Sequence, residues 1–215
     1  MKRVCILGVN GNARDVLEAL RRARNADPST PEARGFLDDA IPQGSIVDGL
    51  PVLGPIAAAK DFADDCFVNA IGSPTSYPAK PGIVARTGAP ADAFLTILDP
   101  RATISASARF GRGTVVLANG AVGAAARLGS HIMVLQNCVI SHDSVIEDFA
   151  VLATGALLSG GVRIGRNAYL GSGCRVREGV RIGEGALIGI GAVVLKDVPP
   201  GEVWMGNPAR RLRPV

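Results

Sequence analysis

Residues 170–194 read LGSGCRVREGVRIGEGALIGIGAVV, and an aliphatic residue recurs at every sixth position of this stretch. The same spacing runs without insertion from Leu98 to Val194, and each first position of a hexapeptide is Leu, Ile, Val or Phe. This gives (194 − 98)/6 + 1, or 17, first positions. Most fifth positions hold a small or β-branched residue, and glycine recurs at the second position, as at Gly171 and Gly183.

Neither an α-helix nor an alternating β-strand produces a strict period of six. The period is typical of a parallel β-helix, in which each hexapeptide forms a short strand and a corner. The aliphatic first positions would fill the interior, and glycine at the second position suits backbone that bends tightly. A coil with three faces takes three hexapeptides, so each residue should stack on the residue 18 positions further along the chain.

The residues before Leu98 predict a separate α/β unit with a mainly parallel sheet, because strand and helix patterns alternate. The predicted strands span residues 3–9, 32–39, 50–54, 66–72 and 94–99, and the predicted helices span 10–25, 55–63 and 80–89.

The composition, with 47% hydrophobic and 20% charged residues, is that of a globular protein. A net charge of +4 would suit phosphate-bearing ligands, although ordinary solubility explains it as well. No motif indicates nucleic-acid binding, and the four cysteines lack the spacing of a metal site. The opening MKRVCILGV holds too short an apolar run for a signal peptide, and no stretch has membrane-spanning length. We therefore expect a cytoplasmic protein without a metal cofactor.

One of the two histidines, His142, stands beside Asp143 within the repeat. Stacking by 18 residues places only small residues directly below and above this pair, namely Ala124, Ala125, Gly160 and Gly161. A bulky polar side chain in such a cleared patch predicts a ligand site, the alternative being an exposed corner residue without a function. With an ordinary pKa near 6.5, an imidazole suits a general base at neutral pH, and Asp143 could raise its basicity.

Polar and glycine residues also cluster where strands of the α/β unit are predicted to end. Open α/β sheets bind ligands at this edge, and a helix N-terminus there can hold a phosphate. The alternative for each is a tight turn or a helix cap without a ligand. The candidate residues are Asn10, Gly11, Asn12, Asp38, Asp39, Gly72 and Ser73.

The repeat, with its ending DVPPGEVWMGNPARRLRPV (197–215), resembles the hexapeptide transferases, whose β-helix is left-handed. With the preceding motifs GVNGNA (8–13), GFLDD (35–39), GLPVLG (49–54) and AIGSP (70–74), the whole chain resembles one branch of them. That branch contains the nucleotide-linked amino-sugar N-acetyltransferases and the sialic acid O-acetyltransferases. The chain differs from the branch where Asn12 stands in place of a histidine in a GGHA-like turn.

The resemblance implies an α/β nucleotide-sugar-binding unit over residues 1–97, a left-handed β-helix over 98–199 that binds acetyl-CoA, and a C-terminal cap or tail over 200–215. It implies that His142 deprotonates the acceptor, that Asp143 tunes it, and that the Gly160 N–H holds the thioester oxygen. The implied acetyl-CoA contacts are Val151, Gly161, Ser172, Ile190 and Lys196, and the implied assembly is a homotrimer.

Three other functions remain open from the sequence. O-acetylation of a sugar of the sialic acid type is the alternative within the same branch. A metal-dependent hydratase similar to the γ-class carbonic anhydrases would need three histidines, whereas His131 and His142 fall on separate faces. A non-catalytic scaffold or nucleotide sensor is the third. For His131 we expect a structural or interface role.

Overall fold

The computed structural model describes residues 2–215, and its first unit is a five-stranded sheet covered by helices. The strands are β1 Arg3–Leu7, β2 Glu32–Leu37, β3 Ile46–Val47, β4 Leu50–Gly54 and β5 Cys66–Asn69. Their order in the sheet is β3-β4-β2-β1-β5, with all neighbours parallel except β3 and β4. The α-helices are α1 Gly11–Ala26 and α2 Lys80–Arg86, and 3-10 helices span Ile56–Phe62, Tyr77–Ala79 and Ala91–Ala93.

The structure refines one sequence-based assignment in this unit and contradicts another. Residues 56–62 form the predicted helix, which is of the 3-10 type. Residues 94–99 do not form a strand of the first sheet. Only Phe94 bridges to Phe67, and Ile97–Leu98 pairs with Val115–Val116 as the first rung of the second unit.

The second unit is a left-handed parallel β-helix; the repeat predicts the parallel β-helix, and the family resemblance implies its hand. Its 17 two-residue strands run from β6 to β22, and the second residue of every strand is a first position of a hexapeptide. Each strand pairs with the strand 18 residues away, for example Val139 with Leu157. The aliphatic first positions and small fifth positions form one continuous buried core, in which Leu152 and Ala168 are fully buried. The strands form three flat faces.

We name the faces by what their outer surfaces carry. The covered face consists of β6 Ile97–Leu98, β9 Val115–Val116, β12 Met133–Val134, β15 Val151–Leu152, β18 Tyr169–Leu170 and β21 Leu187–Ile188. The apolar face consists of β7 Thr103–Ile104, β10 Ala121–Val122, β13 Val139–Ile140, β16 Leu157–Leu158, β19 Arg175–Val176 and β22 Val193–Val194. The arginine face consists of β8 Arg109–Phe110, β11 Arg127–Leu128, β14 Val145–Ile146, β17 Arg163–Ile164 and β20 Arg181–Ile182.

The recurring second-position glycines have a different cause from the one the sequence suggested. Gly165 and Gly171 do not adopt the left-handed backbone conformation that favours glycine. Instead, a Cβ atom at Gly165 would lie 2.6 Å from the amide nitrogen of Glu184, and one at Gly171 would lie 2.6 Å from the carbonyl oxygen of Ile188. These positions therefore require glycine because the next coil passes too close for any side chain.

The α/β unit packs on the covered face through a shared core. Helix α1 contributes Leu17 and Leu20, and the face contributes Val115, Met133 and Val151. After the last coil, β23 Glu202–Met205 continues the covered face, and β24 Arg210–Pro214 pairs with it antiparallel. The division at residues 97/98 and 199/200 remains a prediction. Of the helices in the described residues, none is both long and apolar enough to cross a membrane.

Candidate active site

His142 lies on the edge of the prism between the apolar and arginine faces, which we call the His142 edge. The side chain is 63% exposed, and its Nδ1 atom lies 2.8 Å from Oδ2 of Asp143. Consecutive residues of a strand point in opposite directions, but Asp143 occupies a corner with a left-handed φ of 56°. This corner turns the carboxylate towards the ring. The structure therefore brings the predicted pair together.

The imidazole ring covers Gly160 of the next coil. A Cβ atom at this position would lie 2.6 Å from Cε1 and 2.7 Å from Nε2 of His142, so only glycine leaves space for the ring. Within residues 2–215, the amide N–H of Gly160 has no hydrogen-bond partner. Because a carboxylate only accepts hydrogen bonds, Asp143 holds the neutral ring with its proton on Nδ1. The lone pair of Nε2 is then free to take a proton beside an available amide donor.

Two of the predicted coenzyme contacts lie on the same edge. A Cβ atom at Gly161 would meet no other atom within 4 Å, so the space beside this residue is open. Lys196 lies three coils beyond His142, and its Nζ atom is 5.3 Å from the ring centroid of Trp204. The edge thus presents the imidazole at one level and a cation at another.

The other three predicted coenzyme contacts do not lie there. Ser172 and Ile190 occupy successive coils of the edge between the covered and apolar faces, where Ile190 is 77% exposed. Val151 is fully buried, and its Cγ2 atom would lie 3.0 Å from a Cβ at Gly72. Val151 therefore offers no accessible surface in this chain, because the α/β unit packs over it.

The predicted acceptor residues do lie together, at the carboxyl ends of β1, β2 and β5, which are neighbours in the sheet. Several of their side chains bind backbone groups. The Asn10 side chain accepts a hydrogen bond from the Ala13 N–H and caps α1. Asp38 accepts hydrogen bonds from the N–H groups of Val9, Ala40 and Ile41. These two side chains therefore shape the turn, as the sequence-based alternative stated.

The remaining predicted acceptor residues differ from one another in their contacts and exposure. Asp39 accepts a hydrogen bond from the Ile56 N–H and pairs with Arg86 at 2.7 Å. Ser73 exchanges hydrogen bonds with Ser76, and Gly72 is buried against the prism. Gly11 is exposed and Asn12 is half-buried, both in the first turn of α1. Their backbone is free to approach a ligand at the helix N-terminus.

The two halves of the predicted site are far apart within one chain. The acceptor residues lie over the covered face, since Gly72 contacts Val151. The His142 edge joins the other two faces and is therefore opposite to the covered face. Within one chain, the carboxyl edge of the sheet and the imidazole therefore lie on different sides of the prism.

His131 lies on the edge between the arginine and covered faces and is packed inside the molecule. Its ring stacks on Phe149 at 4.9 Å and meets Phe94 edge-on at 4.6 Å. Burial lowers the pKa of His131 to about 4, so the ring is neutral. The structural role expected for this residue agrees with its surroundings. In the described part of the chain, no three His, Cys, Asp or Glu side chains form a group able to hold a metal ion.

Sequence reasoning missed two residues of the junction between the units. Tyr77 donates a hydrogen bond to the carbonyl oxygen of Gly185, and Lys80 donates one to that of His131. Both side chains are buried. In the sequence, this contact between the units is marked only by an aromatic residue and a lysine near small residues. The same pattern also fits an exposed helix, so it did not predict the contact.

Comparisons with known proteins agree with this architecture. The family model of the bacterial transferase hexapeptide (six repeats) matches residues 161–196. The acetyltransferase domain of PglB from Neisseria gonorrhoeae, solved with acetyl coenzyme A, is 30% identical with a TM-score of 0.85. That match covers 98% of this chain and 99% of that chain. No curated protein matches the chain.

Two further solved structures are similar over almost the whole chain. PerB from Caulobacter crescentus, in complex with CoA and GDP-perosamine, is 27% identical with a TM-score of 0.86, and 99% of this chain and 98% of that chain are covered. WeeI from Acinetobacter baumannii is 26% identical with a TM-score of 0.83, over 99% of this chain and 100% of that chain. The chain therefore belongs to the hexapeptide-repeat acyltransferases, in the branch that includes the acetyltransferase domain of PglB.

Proposed function

We propose that the protein transfers an acetyl group from acetyl-CoA to the amine of a nucleotide-linked amino sugar. The observation that carries this proposal is the exposed His142 ring, held by Asp143 at 2.8 Å over a glycine whose N–H is available. The similar PglB domain was solved with acetyl coenzyme A, and the similar PerB with CoA and GDP-perosamine, which supports both substrates.

In the proposed reaction, Nε2 of His142 takes the proton of the acceptor nitrogen as this nitrogen attacks the thioester carbonyl carbon. Asp143 keeps the ring oriented and stabilises the imidazolium that forms. The Gly160 N–H donates a hydrogen bond to the carbonyl oxygen, where negative charge develops. The imidazolium then returns the proton to the leaving CoA thiolate. Transfer is direct, because no serine or cysteine of residues 2–215 is paired with this base.

The proposal includes a homotrimer, because the acceptor residues and the imidazole lie on opposite sides of one chain. The apolar face lies between the His142 edge and the edge of Ser172 and Ile190. Four of its six outer positions are apolar, Ala121, Val139, Leu157 and Val193, and Val139 is 37% exposed; the other two are Thr103 and Arg175. A second copy packed here would bring the coenzyme contacts of one chain beside the base of another. The predicted cytoplasmic location is part of the same proposal.

The charge of the β-helix and tail supports anionic substrates. Residues 98–215 hold 13 lysines and arginines and eight aspartates and glutamates, whereas residues 1–97 hold ten and eleven. Both coenzyme A and a nucleotide sugar carry phosphates, which a positive surface attracts from solution. We therefore expect the Michaelis constants of both substrates to rise with ionic strength.

The first experiment is an assay of acetyl transfer to a panel of amino-sugar nucleotides and free sugars. We expect transfer to a nucleotide-linked amine. Transfer to hydroxyl groups alone would replace the proposal with sugar O-acetylation.

The second experiment compares variants of the His142 edge. We expect His142→Ala to lower kcat about a hundredfold or more, because general base catalysis typically contributes that much. Asp143→Asn should cause a smaller fall, since the ring loses its orientation but keeps its lone pair. Ser141→Ala, on the same edge, is the matched control and should retain activity. Unchanged activity of His142→Ala would contradict the assignment of the base.

A further inference from the structure

The segment from Tyr77 to Lys80 runs along one edge of the β-helix of its own chain. This edge joins the arginine and covered faces, and its corner residues, 18 positions apart, are Gly113, His131, Phe149, Asn167 and Gly185. The Tyr77 hydroxyl donates to the Gly185 carbonyl oxygen at 2.9 Å, and Lys80 Nζ donates to that of His131 at 3.0 Å. These two carbonyl groups are three coils apart, or about 14 Å at the spacing of neighbouring strands.

A third contact lies between the two. The Asn167 side-chain amide is 3.5 Å from the Pro78 carbonyl oxygen, at a coil between those of His131 and Gly185. The Tyr77 ring also packs on Tyr169, with 5.4 Å between centroids. Contacts at separate heights fix both the position of the segment and its tilt against the prism. We call Tyr77–Lys80 the junction segment.

Lys80 is an unusual residue for a junction between two units. It is fully buried, its ammonium has no carboxylate partner in the described residues, and burial lowers its pKa to about 7. An aliphatic side chain would fill the same space without the cost of burying an amine. What Lys80 adds is therefore its hydrogen bond to a single backbone carbonyl of the prism.

The junction segment is connected to the acceptor residues by a short, stiff turn. Gly72 lies against both Val151 and the Lys80 stem, since its Cβ would be 3.0 Å from Cγ2 and 3.6 Å from Cδ, respectively. Ser73 and Ser76 exchange hydrogen bonds, and the Tyr77 N–H donates to the Ser73 carbonyl oxygen at 2.9 Å. A displacement of the junction segment would therefore move the carboxyl edge of the sheet directly.

We propose that Tyr77 and Lys80 are positioning residues, which set the height of the acceptor-binding edge on the prism through their hydrogen bonds to Gly185 and His131. This inference rests on the proposed function. Neither side chain acts in the chemistry. They decide where an acceptor held at the end of β5 is presented to the imidazole of a neighbouring copy.

The test uses the full chain with Tyr77→Phe, which removes only the hydroxyl group, and Lys80→Met, which replaces the amine and its hydrogen bond by an apolar side chain of similar size. We expect each variant to raise the KM for the nucleotide-linked acceptor about tenfold, because an acceptor held on a displaced edge is no longer aligned with the neighbouring copy that completes its site. The KM for acetyl-CoA should change less than about twofold. If Tyr77 and Lys80 only stabilised the fold, the variants would change both Michaelis constants together or would change only the midpoint of thermal unfolding.

Tyr169→Phe is the matched control, because the Tyr169 hydroxyl makes no hydrogen bond within residues 2–215. It should leave both Michaelis constants unchanged. An unchanged acceptor KM in both Tyr77→Phe and Lys80→Met, with active parent protein, would overturn this inference alone. Absence of transfer by the parent protein to every acceptor of the panel would overturn the proposed function and this inference with it.

Discussion

At the scale of single residues, the two histidines show how far surroundings determine chemistry. His142 is mostly exposed beside a carboxylate, whereas His131 is enclosed by Phe94 and Phe149 and has its pKa lowered to about 4 by burial. The repeat predicts which residues of the adjacent coils lie next to His142, because they are 18 residues away in the sequence. Phe94 belongs to the segment before the repeat, so the enclosure of His131 could not be read in this way.

Lys80 leads to a prediction about pH. Burial lowers its pKa from 10.5 in the unfolded chain to about 7 in the folded protein, so unfolding between these values takes up a proton. The free energy of unfolding should therefore rise with pH across this range, by about 1 kcal/mol per unit from this residue. Below pH 7 both states are protonated and the dependence on this residue ends. Lys80→Met should remove this contribution to the pH dependence of the unfolding free energy.

Urea unfolding of the parent and Lys80→Met at pH 7.5 and 9.0 measures this difference. His131, whose carbonyl oxygen accepts the Lys80 hydrogen bond, is present in both proteins, and its pKa of about 4 lies below the range compared. Its titration therefore does not contribute to the difference. Equal slopes of unfolding free energy against pH would show that the Lys80 amine is not desolvated as the structure indicates.

At the scale of one structural element, the corners of the β-helix explain a set of backbone conformations. Each corner from residue 113 to residue 191 has one residue with a positive φ, which glycine and asparagine adopt most easily. Ala125 occupies such a corner with a φ of 58°. Alanine has no polar side chain to compensate for this conformation, so the corner stores strain. Ala156, in contrast, is a fully buried fifth position without a positive φ.

The corner geometry predicts opposite effects of the same substitution at these two positions. Ala125→Gly should raise the free energy of unfolding by about 1 kcal/mol, because glycine adopts a positive φ without steric cost. Ala156→Gly should lower it by about 1 kcal/mol, because it adds backbone entropy to the unfolded chain and removes a buried methyl group. Thermal unfolding of both variants checks the signs. Destabilisation by both would mean that the corner at Ala125 is not strained.

At the scale of the whole molecule, the three faces of one prism have different environments. The first unit packs on the covered face, and the arginine face carries charged side chains at Arg109, Arg127, Arg163 and Arg181. The apolar face is bounded by the edges that hold the predicted base and two of the predicted coenzyme contacts. This asymmetry is the reason that the proposed function includes a second copy.

Val139→Asp tests the assembly, because it places a charge in the middle of the apolar face. We expect the native mass to fall from three times 22.1 kDa towards one, and acetyl transfer to be lost while the fold is retained. Analytical ultracentrifugation and circular dichroism measure these two properties. Arg181→Asp, at an outer position of the arginine face, is the control and should remain trimeric. A monomeric parent with full activity would contradict the trimer.

The sequence by itself determined the β-helix, the register of its 17 strands and the pairing of His142 with Asp143. These features depend on a repeat of six residues, so the residues that stack are set by a fixed separation along the chain. Even so, the cause of the second-position glycines became clear only from the approach of the next coil.

Only the tertiary structure decided which face the α/β unit covers. That choice buries Val151, which the family resemblance assigned to the coenzyme, and encloses Lys80 between the units. It also separates the acceptor residues from the imidazole of the same chain. The physical reason is that the packing of two units brings together residues far apart in the sequence. The six-residue repeat describes only contacts within the β-helix and does not predict which of its surfaces meets the other unit.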